Sequence, residues 1–245
     1  MNMISRTFVI GDIHGALKAL MQVLERAEIT QQDTLIFLGD YVDGWSQSPE
    51  VINFLIQLKD SHNCVFLRGN HDDLCYRWLK YGENNDTWLV HGGKSTVAAY
   101  ESIPFNIRSI HLYFLENLRN YYIDDQNRLF VHAGFTSHNG AAHEYFEKML
   151  YWDRSLWELV LAMDKGLKIG DQFYPKRLTH YKEIFIGHTS LTRIGKNIPV
   201  NAANVWNVDT GAAHKNPLTI MDVNTKEFWQ SDPVFALYPN EKGRN

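Results

Sequence analysis

The chain has 245 residues, enough for one large domain with a substantial core, and its 44% hydrophobic and 21% charged content is ordinary for a globular protein. Its 24 basic and 28 acidic residues give a net charge of −4, which offers no basic field for a nucleic-acid duplex or an anionic membrane surface. No apolar run reaches the roughly 18 residues a membrane span needs, no leader is expected ahead of the first strand, and the cysteines are Cys64 and Cys75 alone; a cytoplasmic enzyme is expected.

The first half alternates strand and helix signals. Phe8-Val9-Ile10 ends in Gly11-Asp12-Ile13-His14-Gly15, and a short apolar run closed by a turn signal predicts a buried strand. A helix follows over about 15–27, with Leu17, Leu20, Val23 and Leu24 at helical spacing. A strand over 34–38 ends in Gly39-Asp40-Tyr41-Val42-Asp43, and a helix from about Pro49 to Leu58 takes Ser48 as its cap. The run Cys64-Val65-Phe66-Leu67 is followed, after Arg68, by Gly69-Asn70-His71-Asp72. Such alternation predicts right-handed crossovers and a parallel sheet.

The middle reads as helices over 72–79, 94–101 and 107–118. A hairpin over 121–124 and 128–131 turns at Asp125-Gln126-Asn127, its second strand ending in His132-Ala133-Gly134. Residues 141–163, with Tyr151, Trp152 and Trp157, read as a helical insert packed near a site. With the aperiodic 164–182 they form a small cap, at about 141–182, on a single domain spanning 1–245. Strands return at 183–186, which leads into Gly187-His188-Thr189, and at 204–208, 218–223 and 227–229, with Asn224-Thr225-Lys226 as a hairpin turn. Neither an internal repeat nor a low-complexity segment interrupts the chain. Pattern alone gives an α/β class.

Five blocks therefore combine glycine with residues able to ligate metal, and four of them directly follow an apolar run. Loops just after strands converge at one edge of a sheet, where α/β folds place their sites. Phosphoester hydrolysis needs a hydroxide nucleophile, neutralisation of phosphate charge and a proton for the leaving oxygen. Two cations a few ångströms apart meet the first two needs. Carboxylates mixed with neutral imidazoles suit manganese, iron or zinc rather than magnesium or calcium. Asp12 and His14, two residues apart at a strand end, can face one ion together.

In this order, from about Phe8 to about Leu218, the blocks resemble the calcineurin-like metallophosphoesterase superfamily. Within it they are similar to the phosphoprotein phosphatase branch of small bacterial and phage serine/threonine phosphatases and diadenosine tetraphosphate hydrolases. GDIHG and GNHD are the specific pair; HAG and GHT gain weight from their order. The resemblance implies a four-layer sandwich of two mixed β-sheets flanked by α-helices. It also implies two divalent or trivalent metal ions, manganese first, with iron or zinc possible. Asp12 and His14 would hold one ion, Asp40 would bridge, and Asn70, His132 and His188 would complete the second. Asn70 would also face the substrate. His71 would be the general acid that protonates the leaving oxygen, with Asp43 orienting its ring, during in-line attack by a hydroxide held between the ions.

The chain departs from the resemblance at one point. The family commonly continues GDxxDRG, whose arginine grips the phosphate, whereas this chain has Gly44-Trp45. Arg154, in Tyr151-Trp152-Asp153-Arg154, resembles a second phosphate-gripping arginine. Trp88–Thr96 (WLVHGGKST) reads either as a tight turn entering a helix or as a phosphate site, in which Lys94 could supply the missing charge beside glycines that could let backbone amides approach a phosphate. Asp209, in NVDTGA, reads as a structural group or as one orienting a metal-bound histidine, and Arg68 as a structural ion pair. His62, His111, His138, His143, His180 and His214 fit no motif, and most are expected at the surface. The expected function is a dinuclear metal-dependent phosphatase acting on phosphorylated protein, foremost phosphoserine or phosphothreonine, or on a phosphorylated small molecule. A dinucleoside polyphosphate hydrolase is the first alternative. A non-catalytic binding module is the second, disfavoured by the full ligand set with His71 and Asp43.

Overall fold

The computed structural model describes residues 5–244, and the apolar runs before four of the glycine blocks are strands buried almost throughout. The run ahead of Ser5, in which no leader is expected, lies outside the described residues. The strands are β1 (Thr7–Ile10), β2 (Thr34–Phe37), β3 (Asn63–Phe66), β4 (Tyr121–Ile123), β5 (Arg128–Val131), β6 (Glu183–Ile186), β7 (Val200–Ala202), β8 (Val205–Asn207), β9 (Thr219–Asp222) and β10 (Phe228–Gln230). They form two five-stranded sheets, ordered β10-β9-β1-β2-β3 and β4-β5-β6-β8-β7. Both are mixed: β1, β2 and β3 run parallel and β9 antiparallel, while β5, β6 and β8 run parallel between antiparallel β4 and β7.

The two-residue period of a strand explains why the runs are apolar on both faces. Phe8, Ile10, Leu35 and Phe37 point to one side and pack with the first group of helices. Val9 and Ile36 point to the other, into a layer shared with Phe130 and Phe185 of the second sheet, whose rings stack 4.9 Å apart. Leu129, Val131, Ile184 and Ile186 face away from that layer, onto the second group of helices. The first group comprises α1 (Leu17–Arg26), α2 (Ser48–Lys59), α3 (Asn70–Tyr81), the single turn α4 (Asp86–Trp88), α5 (Lys94–Tyr100) and α6 (Phe105–Glu116). The second comprises α7 (Met149–Trp152) and α8 (Ser155–Ala162); α9 (Val234–Leu237) returns to the first core. Helices, sheet, sheet and helices give the four-layer α/β sandwich. No helix among the described residues is long and apolar enough to cross a membrane.

Side-chain hydrogen bonds account for several departures from the sequence pattern. Ser48 is the first residue of α2 rather than its cap, because its hydroxyl accepts the N–H of Asp43 at 3.1 Å. α3 begins at Asn70, two residues earlier than the pattern suggests, because Asp72 accepts the Gly69 N–H at 2.8 Å. The insert over 141–163 is broken rather than continuous: Asp153 accepts the N–H groups of Ser155 and Leu156 and so starts α8 afresh. β7 has no clear alternation and is held by its antiparallel pairing with β8 around Ala203, which takes φ 50°.

His138 and His143 are exposed as expected, but His111 is fully buried. Its Nδ1 lies 2.9 Å from the Tyr100 hydroxyl and its Nε2 2.9 Å from Asn53 Oδ1. Burial lowers its pKa to about 4. The unfolded chain takes up this proton near the ordinary histidine value of about 6.5, so stability present above that pH is lost as pH falls toward 4. That loss is on the order of 3 kcal/mol. Melting curves of His111→Gln should show a shallower fall than the parent between those pH values; parallel falls would contradict it.

Candidate metal centre

The strand ends deliver their polar residues through strained backbone. His14, Asp40, Asp43 and His188 all take positive φ, at 53°, 52°, 74° and 61°. Such conformations cost on the order of 1–3 kcal/mol each and persist where the surroundings over-determine them. Here the surroundings are close-packed glycines and backbone hydrogen bonds. A Cβ on Gly69 would lie 2.1 Å from Asp40 Oδ1, and one on Gly187 2.1 Å from Asp12 Oδ1. Asp72 accepts the N–H groups of Asp40, Tyr41 and Gly69, each at 2.8 Å, and so ties the loop after β2 to the start of α3.

Two groups of potential ligands result, Asp12, His14 and Asp40 in one, and Asp40, His132 and His188 in the other, with the ligating atoms of each group within 4.8 Å of one another. Asp40 belongs to both. Its Oδ2 lies 3.4 Å from His14 Nε2 and 3.5 Å from His132 Nε2. Asn70 joins the second group through its amide oxygen, 3.0 Å from His188 Nδ1 and 3.3 Å from His132 Nε2. The far nitrogens of His14 and His132 face the carbonyls of Val42 and Leu38 at 3.0 and 2.9 Å. With protons there, both Nε2 lone pairs are left toward Asp40.

The electrostatics fit a cation. Burial, with Asp209 and Asp40 as like-charged neighbours, pushes the Asp12 carboxyl well up. Burial also works to raise Asp40, but His132, His71, His14 and His188 around it hold its pKa below the usual carboxylate range. Burial lowers the pKa values of His14, His132 and His188, favouring neutral imidazoles that can ligate. Desolvated carboxylates among neutral rings are costly unless a cation joins them. His188 Nε2 is itself buried without a hydrogen-bond partner among the described residues. Carboxylate, amide oxygen and imidazole together fit metal ions of intermediate softness.

Beside this centre, His71 Nδ1 lies 2.5 Å from Asp43 Oδ2, and the His71 N–H donates to Asp40 Oδ1 at 2.9 Å. Asp43 is fully buried; Thr96 Oγ1 donates to its Oδ1 at 2.6 Å and the Trp88 indole N–H to its Oδ2. Trp88 and Thr96 are the two ends of the WLVHGGKST segment. Both grip Asp43, and Gly93 passes so close under Trp88 that a Cβ there would meet the ring at 2.5 Å. Lys94 is exposed at the start of α5 and does not line the pocket. Arg154 does, its Nη1 donating to Thr189 Oγ1 at 3.2 Å. Arg68 lies outside, 3.8 Å from Asp73. Asp209 lines the pocket with its pKa pushed up to about 6 by burial.

The pocket over these groups has a volume of about 300 Å³. Its walls also include Trp88, Trp152, Arg193, Arg244 and half-buried His214, the last expected at the surface. Of the residues that sequence reasoning left without these roles, Trp88, Thr96 and Asp72 lie inside quoted motifs, where a buried carboxylate's need for donors could have marked them. Arg193 and Arg244 carry no linear signal.

The calcineurin-like phosphoesterase profile matches residues 5–195, and the chain belongs to this family of metal-dependent hydrolases. Among curated relatives, the asymmetrical bis(5'-nucleosyl)-tetraphosphatase PrpE of Anoxybacillus flavithermus is 29% identical over 232 residues, 87% of this chain and 88% of that one. The PrpE of Oceanobacillus iheyensis is 25% identical over 236 residues, 90% of this chain and 89% of its own. Among solved structures, a protein serine/threonine phosphatase from Saccharomyces cerevisiae superposes with a TM-score of 0.60 at 14% identity, covering 93% of this chain and 80% of its own, a likeness of fold alone.

If Asp43 fixes the His71 proton on Nδ1, its own donors tune proton delivery. Thr96→Val or Trp88→Phe should slow hydrolysis of an alkyl phosphate roughly 10- to 100-fold and that of p-nitrophenyl phosphate, whose leaving group needs no proton, much less. Equal losses on both, in steady-state assays, would contradict this.

Proposed function

We propose that the chain hydrolyses dinucleoside polyphosphates at a two-cation centre. Asp12, His14 and Asp40 would hold one ion, and Asp40, Asn70, His132 and His188 the other. The observation that carries the substrate class is the pocket wall, where Arg154, Arg193 and Arg244 stand with the exposed ring of Trp152. Burial and the neighbouring Arg193 and Arg244 lower the pKa of Arg154, so these cations repel one another until an anion joins them. One phosphomonoester offers a single phosphate to three guanidinium groups; a polyphosphate chain offers several, and its nucleosides offer flat rings to stack on Trp152, whose ring is exposed. The names of the PrpE relatives support this reading. It reverses the order expected from sequence, which placed phosphoserine or phosphothreonine protein first.

When bound, the metal pair would neutralise phosphate charge and lower the pKa of a water. The rest falls to the chain. Asp43 orients His71, which delivers a proton to the oxygen leaving phosphorus, while the arginines hold the phosphate oxygens in place. The segment over 141–182 acts as a cap, since it brings Trp152 and Arg154 to the pocket. Two cysteines free of a disulfide agree with a cytoplasmic enzyme.

Manganese-loaded protein offered diadenosine tetraphosphate and a phosphoserine peptide in parallel should cleave the dinucleotide with at least a tenfold higher kcat/KM, roughly one good charged contact's worth. Faster release of phosphate from the peptide would overturn the substrate class and leave the centre standing.

A further inference from the structure

Gly44 leaves a gap in the pocket wall, and another part of the chain passes through it. A Cβ on Gly44 would lie 3.2 Å from Arg244 Cγ, and one on Gly92 2.9 Å from the same atom. Both glycines take positive φ, 95° and 113°. The Gly44 N–H donates to the Gly92 carbonyl at 3.2 Å, closing the two into one slot. The stem of Arg244 runs through that slot. We propose that Arg244 is a phosphate-gripping residue of this site, brought in from 200 positions along the chain to the place where position 44 has no side chain. The inference rests on the phosphoesterase reading of the centre, though not on which phosphate compound is the substrate.

The segment that carries Arg244 is fixed at several points to the loop after β2. Trp45 stacks on Tyr238 with ring centroids 5.2 Å apart, and its indole N–H donates to the Ala212 carbonyl at 2.8 Å. Glu241 accepts from the Ser46 N–H and hydroxyl at 2.9 and 2.7 Å. The Arg244 N–H donates to the Ala213 carbonyl at 2.8 Å, and the Arg244 carbonyl lies 2.9 Å from His214 Nδ1. Gly44 and Trp45 thus work together: the first makes room for the incoming stem, and the second anchors the segment that supplies it.

Among the described residues the head of Arg244 has no anion of its own. Its Nη1 lies 3.4 Å from His14 Nε2 in the pocket wall, and its Nε is buried with no hydrogen-bond partner among the described residues. None of the carboxylates described lies within ion-pair distance of it. A guanidinium held rigidly in a pocket with unused donors is arranged for a planar or tetrahedral oxyanion. Its place beside His14 makes a phosphoryl group the occupant. Asp12 and Asp209 both feel its positive charge, so it also moderates the acidic side of the centre.

The test is calorimetric binding of inorganic phosphate to manganese-loaded protein, with KM and kcat for p-nitrophenyl phosphate and the manganese content measured alongside. Arg244→Ala should weaken phosphate binding roughly 10- to 100-fold and raise KM, with manganese content unchanged. Arg244→Lys should recover only part of the loss, because an ammonium lacks the planar fork. Lys242→Ala, exposed on the same segment, should match the parent. Unchanged phosphate affinity in Arg244→Ala would overturn the proposal. So would tighter manganese binding or faster turnover, which would make Arg244 a plug against His14. These readouts do not involve a nucleotide, so a failed dinucleotide assignment shows separately, in the dinucleotide-to-peptide ratio of the parent protein.

Discussion

The carboxylate of Asp40 is 1% exposed, and the arrangement of the site follows from keeping it charged there. An ionised group this far from water needs partners on every side. Its Oδ1 accepts the His71 N–H, its Oδ2 faces the imidazoles of His14 and His132, and its own N–H is taken by Asp72. Those partners come from the ends of β1 and β5 and from the start of α3, so one buried charge after β2 links both sheets and a helix. The close approach also explains the glycine beside it: any side chain at Gly69 would strike the Asp40 carboxylate.

A second buried carboxylate repeats the logic at lower charge density. Asp43 is satisfied by His71, Thr96 and Trp88, all of which donate to it or face it. Its partners are protein groups alone, whereas those of Asp12 and Asp40 leave lone pairs pointing inward. That difference in donor balance is the ground on which Asp43 is proposed as an orienting residue and Asp12 and Asp40 as ligands. Local charge likewise runs against the whole: the chain carries −4 overall, yet three arginines rim the acidic centre. A net charge describes long-range steering, and a pocket is governed by what lies within a few ångströms.

The strands and the polar blocks that gather into one cluster were legible because each is local: an apolar run of four residues, then a glycine turn carrying the polar group. The helices flanking β1 to β3 were legible for the same reason, with boundaries shifted where Ser48 and Asp72 spend their side chains on loop backbone. What escaped was set by tertiary contact. Thr96 and Trp88 look like a loop motif until Asp43 is seen between them. His111 looks like a surface histidine until Tyr100 and Asn53 are seen on either side of its ring. Arg244 has no neighbour in sequence that suggests a site, and only the paired glycines at 44 and 92 show where its stem must go. The missing arginine at 44 was visible, but the lysine nearest to hand, Lys94, lies on the exposed side of α5.

The central claim is that Asp40 is shared by two cations. Metal content of the purified, manganese-loaded protein, measured by atomic emission with an Asp40→Asn variant beside it, tests this most directly. The account predicts two ions per chain in the parent and loss of both in the variant, with the fold retained by circular dichroism. A single ion in the parent, or a folded Asp40→Asn protein that keeps two, would contradict it.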